Sequence, residues 1–268
     1  MTIIKGFNSI PRMYMHDRPM VLFDDPGKSV RQLVQEHKDK LKRADLHGQD
    51  LHGLDLTGAD LTDAWLEGAD LTGSCLKGAD LSGANLVGAD LHGAILEDTD
   101  LSAASLRCAI LSDANMADAR FGYADLTGAW LDGGGRGGTL ERADLGNANL
   151  SYAYMDQARL TGTDMSHAYL KGAYLAHAHL VDADLSGAHL EGTVLFHADM
   201  RRTILERASL RGANMRFTLL TGARMAGADI TGATFATLHA LDVAQDCDFD
   251  PDAVVSDAEE PPAGGKEA

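Results

Sequence analysis

Large side chains are scarce in this chain of 268 residues. Aromatic residues make up only 6% of it, and two of them are tryptophan. A globular core of this size normally uses many bulky side chains, whereas the apolar fraction here comes mostly from alanine and leucine. The shortage argues against an ordinary thick core and favours a narrow, uniform interior.

Cysteine and long apolar runs are also rare. The three cysteines, Cys75, Cys108 and Cys247, are scattered and form no CxxC pair, which argues against a disulfide framework or a zinc knuckle. We therefore expect a reducing, cytoplasmic location. No apolar run approaches the length of a membrane span, and the first residues lack the hydrophobic region of a signal peptide. The sequence predicts no association with a membrane.

A five-residue unit repeats along most of the chain instead. A large apolar residue, here called the centre, recurs every fifth residue from Leu46 to Leu131, which gives 18 centres, and again from Leu140 to Phe235, which gives 20. Alanine usually lies two residues before the centre, Asp or Asn just before it, and Gly two residues after it. Five is neither the strand period nor the helix period, so the repeat indicates a solenoid.

The unit itself predicts how the chain coils. In an extended segment the centre and the residue two before it share a side, so one large and one small side chain fill a thin core together. The Thr-Gly and Ser-Gly pairs that follow favour a turn. Short extended pieces joined by corners predict coils that hydrogen-bond to their neighbours, and each buried Leu contributes roughly 1.5–3 kcal/mol.

The A(D/N)LxG pattern resembles the pentapeptide-repeat family over about residues 44–236. This resemblance implies an all-β solenoid, a right-handed quadrilateral β-helix with four repeats in each coil. The 38 centres then make about nine and a half coils, a rod about 45 Å long at about 4.8 Å per coil.

The ends differ from the repeats. Within residues 1–43 we predict a small hairpin, from 12–16 and 20–24, and a helix from Ser29 to Lys42 that starts at Ser29 as its N-cap and caps the solenoid. Residues 44–132 form the first array, 133–139 a glycine-rich loop, and 140–240 the second array. Residues 241–268 form an acidic tail that we expect to be largely disordered.

The glycine-rich loop separates two centres by eight residues instead of four, which indicates a four-residue insertion at one corner. The loop lacks the residues of a phosphate-binding loop. We interpret it as a flexible bulge, with Arg136 at its tip as a candidate contact for a partner.

Charge is distributed unevenly along the chain, whose net charge is −17. Residues 44–132 hold 3 basic and 16 acidic groups, whereas residues 133–240 hold 10 of each. If residues 20 apart stack, aspartates of the first array form ladders on two opposite faces. The candidates for an acidic binding wall are Asp50, Asp70 and Asp90 on one face and Asp60, Asp80 and Asp100 on the other. The alternative is that these residues serve solubility and local turns.

The second array carries other outward groups. Tyr154 and Tyr174 are expected to stack on one face. The candidates for a basic patch are Arg201, Arg202, Arg207, Arg211, Arg216 and Arg224. They pair with acids of the same chain, or bind a partner or RNA. Because no stacking aromatic residues alternate with them, they are a weak signal for nucleic-acid binding.

The sequence predicts no enzyme. It contains no GxSxG, HExxH or dinucleotide-binding motif, and a core filled by Leu and Ala leaves no cleft. Stacking of residues 20 apart brings His177, His179, His197 and Asp199 to one corner. These are plausible zinc ligands, but outward side chains on a flat wall diverge, so we expect no metal and no cofactor.

We therefore predict a non-catalytic rod that binds a protein partner through its outer walls. The family resemblance implies a narrower alternative, an acidic mimic of DNA that binds a type II topoisomerase such as DNA gyrase or topoisomerase IV. We expect no direct binding of nucleic acid. The sequence leaves open the partner, the binding wall and the oligomeric state.

Overall fold

The computed structural model describes residues 27–132 and 139–236, together with the backbone of one short strand near the C-terminus. Helix α1 spans Val30–Glu36, and a 3₁₀ turn follows at Lys38–Lys40. Strands β1, Thr234–Phe235, and β2, Val255–Ser256, pair in parallel. Between α1 and β1 the chain coils through single parallel bridges rather than long strands. No helix in the described part of the chain is long and apolar enough to cross a membrane.

The bridges define the coil. Each joins two residues 20 positions apart, as in Asp50 to Asp70 and Tyr154 to Tyr174. Twenty residues are four repeats, so each coil has four sides. Across the glycine-rich loop the separation becomes 24, as in Asn115 to Thr139, which agrees with a four-residue insertion.

Each corner is a tight turn. At a typical corner the N–H of Ala59 donates to the carbonyl oxygen of Leu56 at 3.0 Å. Gly58, two residues after the centre, has a φ of +65°. A positive φ at the third residue is what a type II turn requires, and glycine adopts it without steric cost. This geometry explains why glycine is so common two residues after the centre.

The core is a stack of large and small side chains. All 38 centres are buried, from Leu46 to Phe235, and alanine fills most positions two residues before them. Threonine replaces alanine at five buried positions. There its hydroxyl donates to the carbonyl oxygen 23 residues earlier, at 2.8–3.0 Å, in Thr99, Thr163, Thr193, Thr203 and Thr218. These five hydroxyl groups are therefore satisfied inside the core, whereas the Oγ atom of Ser74, buried at the same repeat position, has no hydrogen-bond partner among the described residues.

Helix α1 begins as predicted but ends early. Ser29 and Gln32 form a capping box at its N-terminus. The sequence predicted a helix that reached Lys42, whereas α1 ends at Glu36 because His37 leaves the helical conformation. The 3₁₀ turn that follows exposes the carbonyl oxygen of Lys38, which accepts a hydrogen bond from the N–H of Asp60 at 3.0 Å.

The start of the rod is covered by α1. Leu33 and Val34 of the helix are buried, and Val34 belongs to the same apolar cluster as the centres. Arg31 donates to the carbonyl oxygen of His52 at 2.8 Å, and Gln35 to that of Asp55 at 2.8 Å. The helix thus occupies carbonyl groups that the first coil would otherwise present to solvent.

Other predictions lie mostly or wholly outside the described residues. These are the hairpin of residues 12–16 and 20–24, the loop with Arg136, and the disorder of the tail. Of the tail, only the backbone of β2 is described, and it pairs Thr234 with Val255 and Phe235 with Ser256.

Candidate functional site

The outward residue just before each centre forms a ladder on each side of the rod, and we number these four sides as walls 1 to 4. Wall 2 carries Asp50, Asp70, Asp90, Ile110, Trp130, Tyr154, Tyr174, Val194, Asn214 and Thr234. Wall 4, on the opposite side, carries Asp60, Asp80, Asp100, Arg120, Asp144, Asp164, Asp184, Ile204 and Arg224.

Walls 1 and 3 are more mixed. Wall 1 carries Asp45, Trp65, Asn85, Ser105, Asp125, Asn149, Tyr169, His189, Ser209 and Asp229. Wall 3 carries Asp55, Cys75, Ile95, Asn115, Thr139, Arg159, His179, Asp199 and Leu219. Neither wall carries acidic residues or aromatic residues in three consecutive coils, so walls 2 and 4 are the distinctive surfaces.

The structure places the six predicted acidic residues in the two ladders. Parallel bridges join Asp50, Asp70 and Asp90 on wall 2, and they join Asp60, Asp80 and Asp100 on wall 4. The ladder on wall 4 also continues beyond the loop, through three aspartates that the sequence reasoning missed: Asp144, Asp164 and Asp184. The signal was available, because a step of 24 residues from Arg120 reaches Asp144.

These aspartates have a structural role in the corners. On wall 4 the Oδ1 atoms of Asp80, Asp144 and Asp164 accept hydrogen bonds from the N–H two residues later, at 2.9 Å in each case. Such bonds stabilise the turn locally. The second carboxylate oxygen takes no part in this turn, so the ladder both stabilises the corner and supplies negative charge.

Hydrogen bonds favour the ionised form of Asp70 despite its like-charged neighbour. The hydroxyl and the N–H of Thr72 lower the pKa of Asp70, and they outweigh the opposing effect of the Asp50 carboxylate. Repulsion between carboxylates one coil apart is roughly 1 kcal/mol in water. Both ladders also contain one ion pair with a cation, Arg31 with Asp50 at 2.7 Å and Arg120 with Asp100 at 2.9 Å.

Wall 2 changes from acidic to apolar halfway along the rod. Ile110, Trp130, Tyr154 and Tyr174 are all exposed, by 38–48% of their surface. The rings of Trp130 and Tyr154 stack at 4.7 Å, and those of Tyr154 and Tyr174 at 5.1 Å. The predicted stacking of Tyr154 on Tyr174 is confirmed, and Trp130 extends the ladder by one coil.

A second aromatic cluster lies on the corner between walls 2 and 3. His177 stacks on His197 at 5.3 Å, and His197 stacks on Phe217 at 4.9 Å. Phe196 packs edge-on against His197 at 4.4 Å, and the guanidinium of Arg216 lies 5.9 Å from the centre of the Phe217 ring. The cluster continues the apolar surface of wall 2 towards wall 3.

The predicted basic patch is not one surface. The corner between walls 3 and 4 holds Arg201 and Arg202, the next three corners hold Arg207, Arg211 and Arg216 in turn, and Arg224 lies on wall 4. Four of the six also pair with carboxylates: Arg201 with Asp199, Arg202 with Asp182, Arg211 with Asp229, and Arg224 with Glu206. The repeat distributes these arginines around the rod because consecutive corners face different directions.

The four candidate metal ligands do not converge. His177 and His197 stack on each other at the corner, while His179 lies on wall 3 and the Asp199 carboxylate is held by Arg201 at 2.6 Å. Among the described residues, only Asp50, His52 and Asp70 bring three potential ligand atoms within 4.8 Å. There Arg31 donates to the same Asp50 oxygen at 2.7 Å, so a cation already occupies the position.

Comparison with known proteins identifies the repeat. The family model for pentapeptide repeats matches eight copies, over residues 40–78, 66–102, 94–133, 140–176, 168–207 and 198–235. None of the curated protein sequences matches the chain significantly.

Several solved structures are similar. HetL, a pentapeptide repeat protein involved in the regulation of heterocyst differentiation from the cyanobacterium Nostoc sp. strain PCC 7120, is 34% identical over 71% of this chain and 82% of HetL, with a TM-score of 0.28. Rfr23 from the cyanobacterium Cyanothece 51142 is 25% identical over 41% of this chain and 82% of Rfr23, with a TM-score of 0.33. QnrB1, a plasmid-mediated fluoroquinolone resistance protein, is 16% identical over 74% of this chain and 94% of QnrB1, with a TM-score of 0.46.

The family model matches most of the chain, because its repeats cover both arrays. Proteins with this repeat form right-handed quadrilateral β-helices, in agreement with the register of 20 residues. The chain belongs to the pentapeptide repeat family.

Proposed function

We propose that this protein is a non-catalytic interaction rod that binds a basic protein partner through wall 4. The observation that carries the proposal is the ladder of six aspartates that runs through both arrays on this wall. A flat surface with one sign of charge recognises a partner by electrostatic complementarity, which gives specificity and a fast encounter. Arg120 is a positive group within the ladder and marks the division between its halves.

A non-catalytic role is supported by the packing of the interior. The centres fill the core, and a shallow, open hollow lies at the surface beside Tyr123, Asn147 and Tyr169. No histidine, cysteine or lysine lines this hollow, so it offers no group of that kind to activate a nucleophile. Catalytic sites need a deeper pocket with converging groups.

We infer that the rod has about nine and a half coils and that helix α1, within the predicted capping segment 1–43, caps its first coil. The coil count follows from 38 buried centres at four to a coil. The capping role is supported by the hydrogen bonds of Arg31 and Gln35 to carbonyl groups of the first coil. A cap keeps the rod from associating end to end through its open edge.

Binding of a fluorescent oligolysine peptide at increasing salt tests the acidic wall. We expect Asp144→Asn, Asp164→Asn and Asp184→Asn together to weaken binding about tenfold at low salt, with a smaller effect at high salt. The matched control removes three charges from wall 2, by Asp50→Asn, Asp70→Asn and Asp90→Asn. Equal losses in the two variants would show that net charge, and not wall 4, determines binding.

A narrower candidate is a mimic of DNA that binds DNA gyrase or topoisomerase IV, as the family resemblance implies. The observation that favours it is that the first array carries acidic ladders on two opposite walls, as a duplex carries two phosphate strands. Supercoiling by gyrase, measured over a concentration series with and without a quinolone, tests it. Inhibition or protection that the Asp50, Asp70 and Asp90 variant loses would support mimicry, whereas no effect would leave the more general interaction rod.

A further inference from the structure

The outward aromatic residues of the described rod are concentrated on one side. Nine aromatic side chains lie outside the core, and six of them lie on wall 2 or at its two edges: Trp130, Tyr152, Tyr154, Tyr174, Phe196 and Phe217. Contiguous exposed apolar patches of this kind mark interaction sites. We call each outward residue of wall 2 a rung. The surface is flat, because a parallel bridge joins each rung to the next.

The order of the rungs on wall 2 is symmetric. Ile110 and Val194 are aliphatic and lie at the two ends of the apolar run, Trp130 and Tyr174 lie one rung further in, and Tyr154 lies at the centre. An interface with two-fold symmetry uses the same patch on both subunits and must complement itself. We propose that wall 2 binds a second copy of this chain, with the two rods antiparallel and the two-fold axis at the level of Tyr154.

In this dimer the rungs pair from the centre outwards. Tyr154 meets Tyr154 of the partner subunit, Trp130 meets Tyr174 of the partner subunit, and Ile110 meets Val194 of the partner subunit. Offset or edge-on contacts between the central rings add stabilisation beyond the burial of their area. Each rung thus meets a side chain of the same class.

Charge selects the antiparallel arrangement. On the N-terminal side of the apolar run wall 2 carries Asp90, Asp70 and Asp50. On the C-terminal side it carries Asn214, with Arg216 on the adjoining corner. Parallel rods would set each aspartate against its own copy, which like charges disfavour. Antiparallel rods set Asp90 against the Asn214 and Arg216 end of the partner.

Tyr152 adds a second exposed ring at the level of the proposed two-fold axis. Tyr152 lies at the edge of wall 2, level with Tyr154, is 53% exposed, and has a φ of +59°. Bulky residues are disfavoured in this region, yet among the described residues 19 non-glycine side chains, Tyr123 and Phe217 included, share it with 18 glycines. Its ring lies so close to Gly172 that a β-carbon there would stand 2.8 Å from it. Because this backbone conformation is common at the corners, the exposure and position of the ring, and not its φ, place Tyr152 in the proposed interface.

The size of the patch sets the extent of the interface. From Ile110 to Val194 the rungs span four coil spacings, about 19 Å at about 4.8 Å each. A stable interface buries about 800 Å² on each partner, which is more than a stretch of this length on one wall supplies. The dimer therefore extends along wall 2 from Asp70 to Thr234, which pair with each other about the axis, and the polar rungs must match as well as the apolar ones.

Sedimentation equilibrium at about 1–100 µM tests self-association. We expect a dimer for the unaltered protein, and we expect Tyr154→Arg to weaken it at least thirtyfold, the factor that corresponds to about 2 kcal/mol at a hot spot. The control, Tyr169→Arg, places the same charge on an exposed tyrosine of wall 1 and should leave the dimer unchanged. Circular dichroism establishes that both variants are folded. A monomer at every concentration, or a dimer sensitive only to Tyr169→Arg, would overturn the proposal.

Single cysteines test the orientation, in a background where the three native cysteines are replaced by serine. Under oxidation, Tyr154→Cys should form a disulfide-linked dimer, because residue 154 meets its own copy at the two-fold axis. Asp90→Cys should not, because residue 90 faces the opposite end of the partner. Rapid linkage of Asp90→Cys would indicate parallel rods and contradict the proposal, as would failure of Tyr154→Cys to link in a protein that sediments as a dimer.

Discussion

Walls 2 and 4 have the same backbone and the same core but opposite surfaces. Both are built from parallel bridges 20 residues apart over buried centres. On wall 4 aspartate recurs in both arrays, on either side of Arg120 and as far as Asp184, whereas on wall 2 the outward residue changes from Asp90 to Ile110 and then to aromatic residues. One outward residue in five therefore changes the chemistry of a wall without changing its fold. We assign the acidic wall to a basic partner and the aromatic wall to a second copy of the chain.

Substitutions in the core beneath the two walls should lower the free energy of unfolding by similar amounts. Met155, beneath Tyr154, and Met165, beneath Asp164, are both fully buried centres. We expect Met155→Ala and Met165→Ala each to lower the free energy of unfolding by about 2–5 kcal/mol, because each leaves a cavity in the stack. Urea unfolding of both variants in the Tyr154→Arg background measures this without a contribution from the dimer. A difference of several kcal/mol between them would show that the two walls differ inside as well as outside.

The corners next to the two walls should respond differently to glycine. Tyr152, beside wall 2, and Asn147, beside wall 4, both have a φ near +60°. Since asparagine adopts this conformation at a lower cost than tyrosine, we expect Tyr152→Gly to stabilise the monomer by about 1 kcal/mol and Asn147→Gly to have a smaller effect. Thermal unfolding of both variants compares them.

The same two variants separate stability from association. Tyr152→Gly should weaken the dimer while it stabilises the monomer, whereas Asn147→Gly should leave the dimer intact. If Tyr152→Gly destabilised the monomer, the ring would have a packing role that outweighs its backbone strain.

A fall in pH should reduce the stability of the fold through carboxylates on both walls. On wall 2 the hydrogen bonds from Thr72 lower the pKa of Asp70. On wall 4 burial opposes ionisation of Asp100, but hydrogen bonds from Ser102 and an ion pair with Arg120 hold its pKa below the usual value. A lowered pKa in the folded state stabilises the fold above the pKa of the unfolded chain, and this contribution is lost as the pH falls through the folded value.

The pH window follows from these directions. The hydroxyl and N–H of Thr231, together with Arg211, lower the pKa of Asp229 to about 2, against about 3.9 in an unfolded chain. We therefore expect the unfolding temperature to be nearly constant from pH 7 to 5 and to fall between about pH 4 and 2. Each exposed carboxylate contributes little to the stability of the fold, so the effect per residue is the smallest of those predicted here. A rise in stability on acidification would show that repulsion within the ladders outweighs the hydrogen bonds.

Much of the fold follows from the five-residue period. The period identifies every buried centre, and its coil of four repeats places Asp50, Asp70 and Asp90 on one wall and Tyr154 on Tyr174. These features depend only on the regular backbone. The continuation of wall 4 to Asp144 was also accessible, but it required the shift of four residues to be carried through the loop.

Other features depend on local conformations that the period does not specify. The early end of α1 reflects the backbone at His37, and the pairing of Arg202 with Asp182 depends on the rotamers of two exposed side chains one coil apart. Counting arginines along the chain predicted a patch, because the sequence order hides the direction in which each corner faces. The partner is set by chemistry on another molecule, which this sequence does not contain.

The central claim is that walls 2 and 4 bind independently, and sedimentation velocity with fluorescent oligolysine tests it most directly. The account predicts that the labelled peptide sediments with a dimer of the unaltered protein and with a monomer of Tyr154→Arg. It also predicts that the variant with Asp144→Asn, Asp164→Asn and Asp184→Asn stays dimeric but binds the peptide weakly. Loss of both properties in either variant, with the fold intact, would contradict the assignment of separate functions to the two walls.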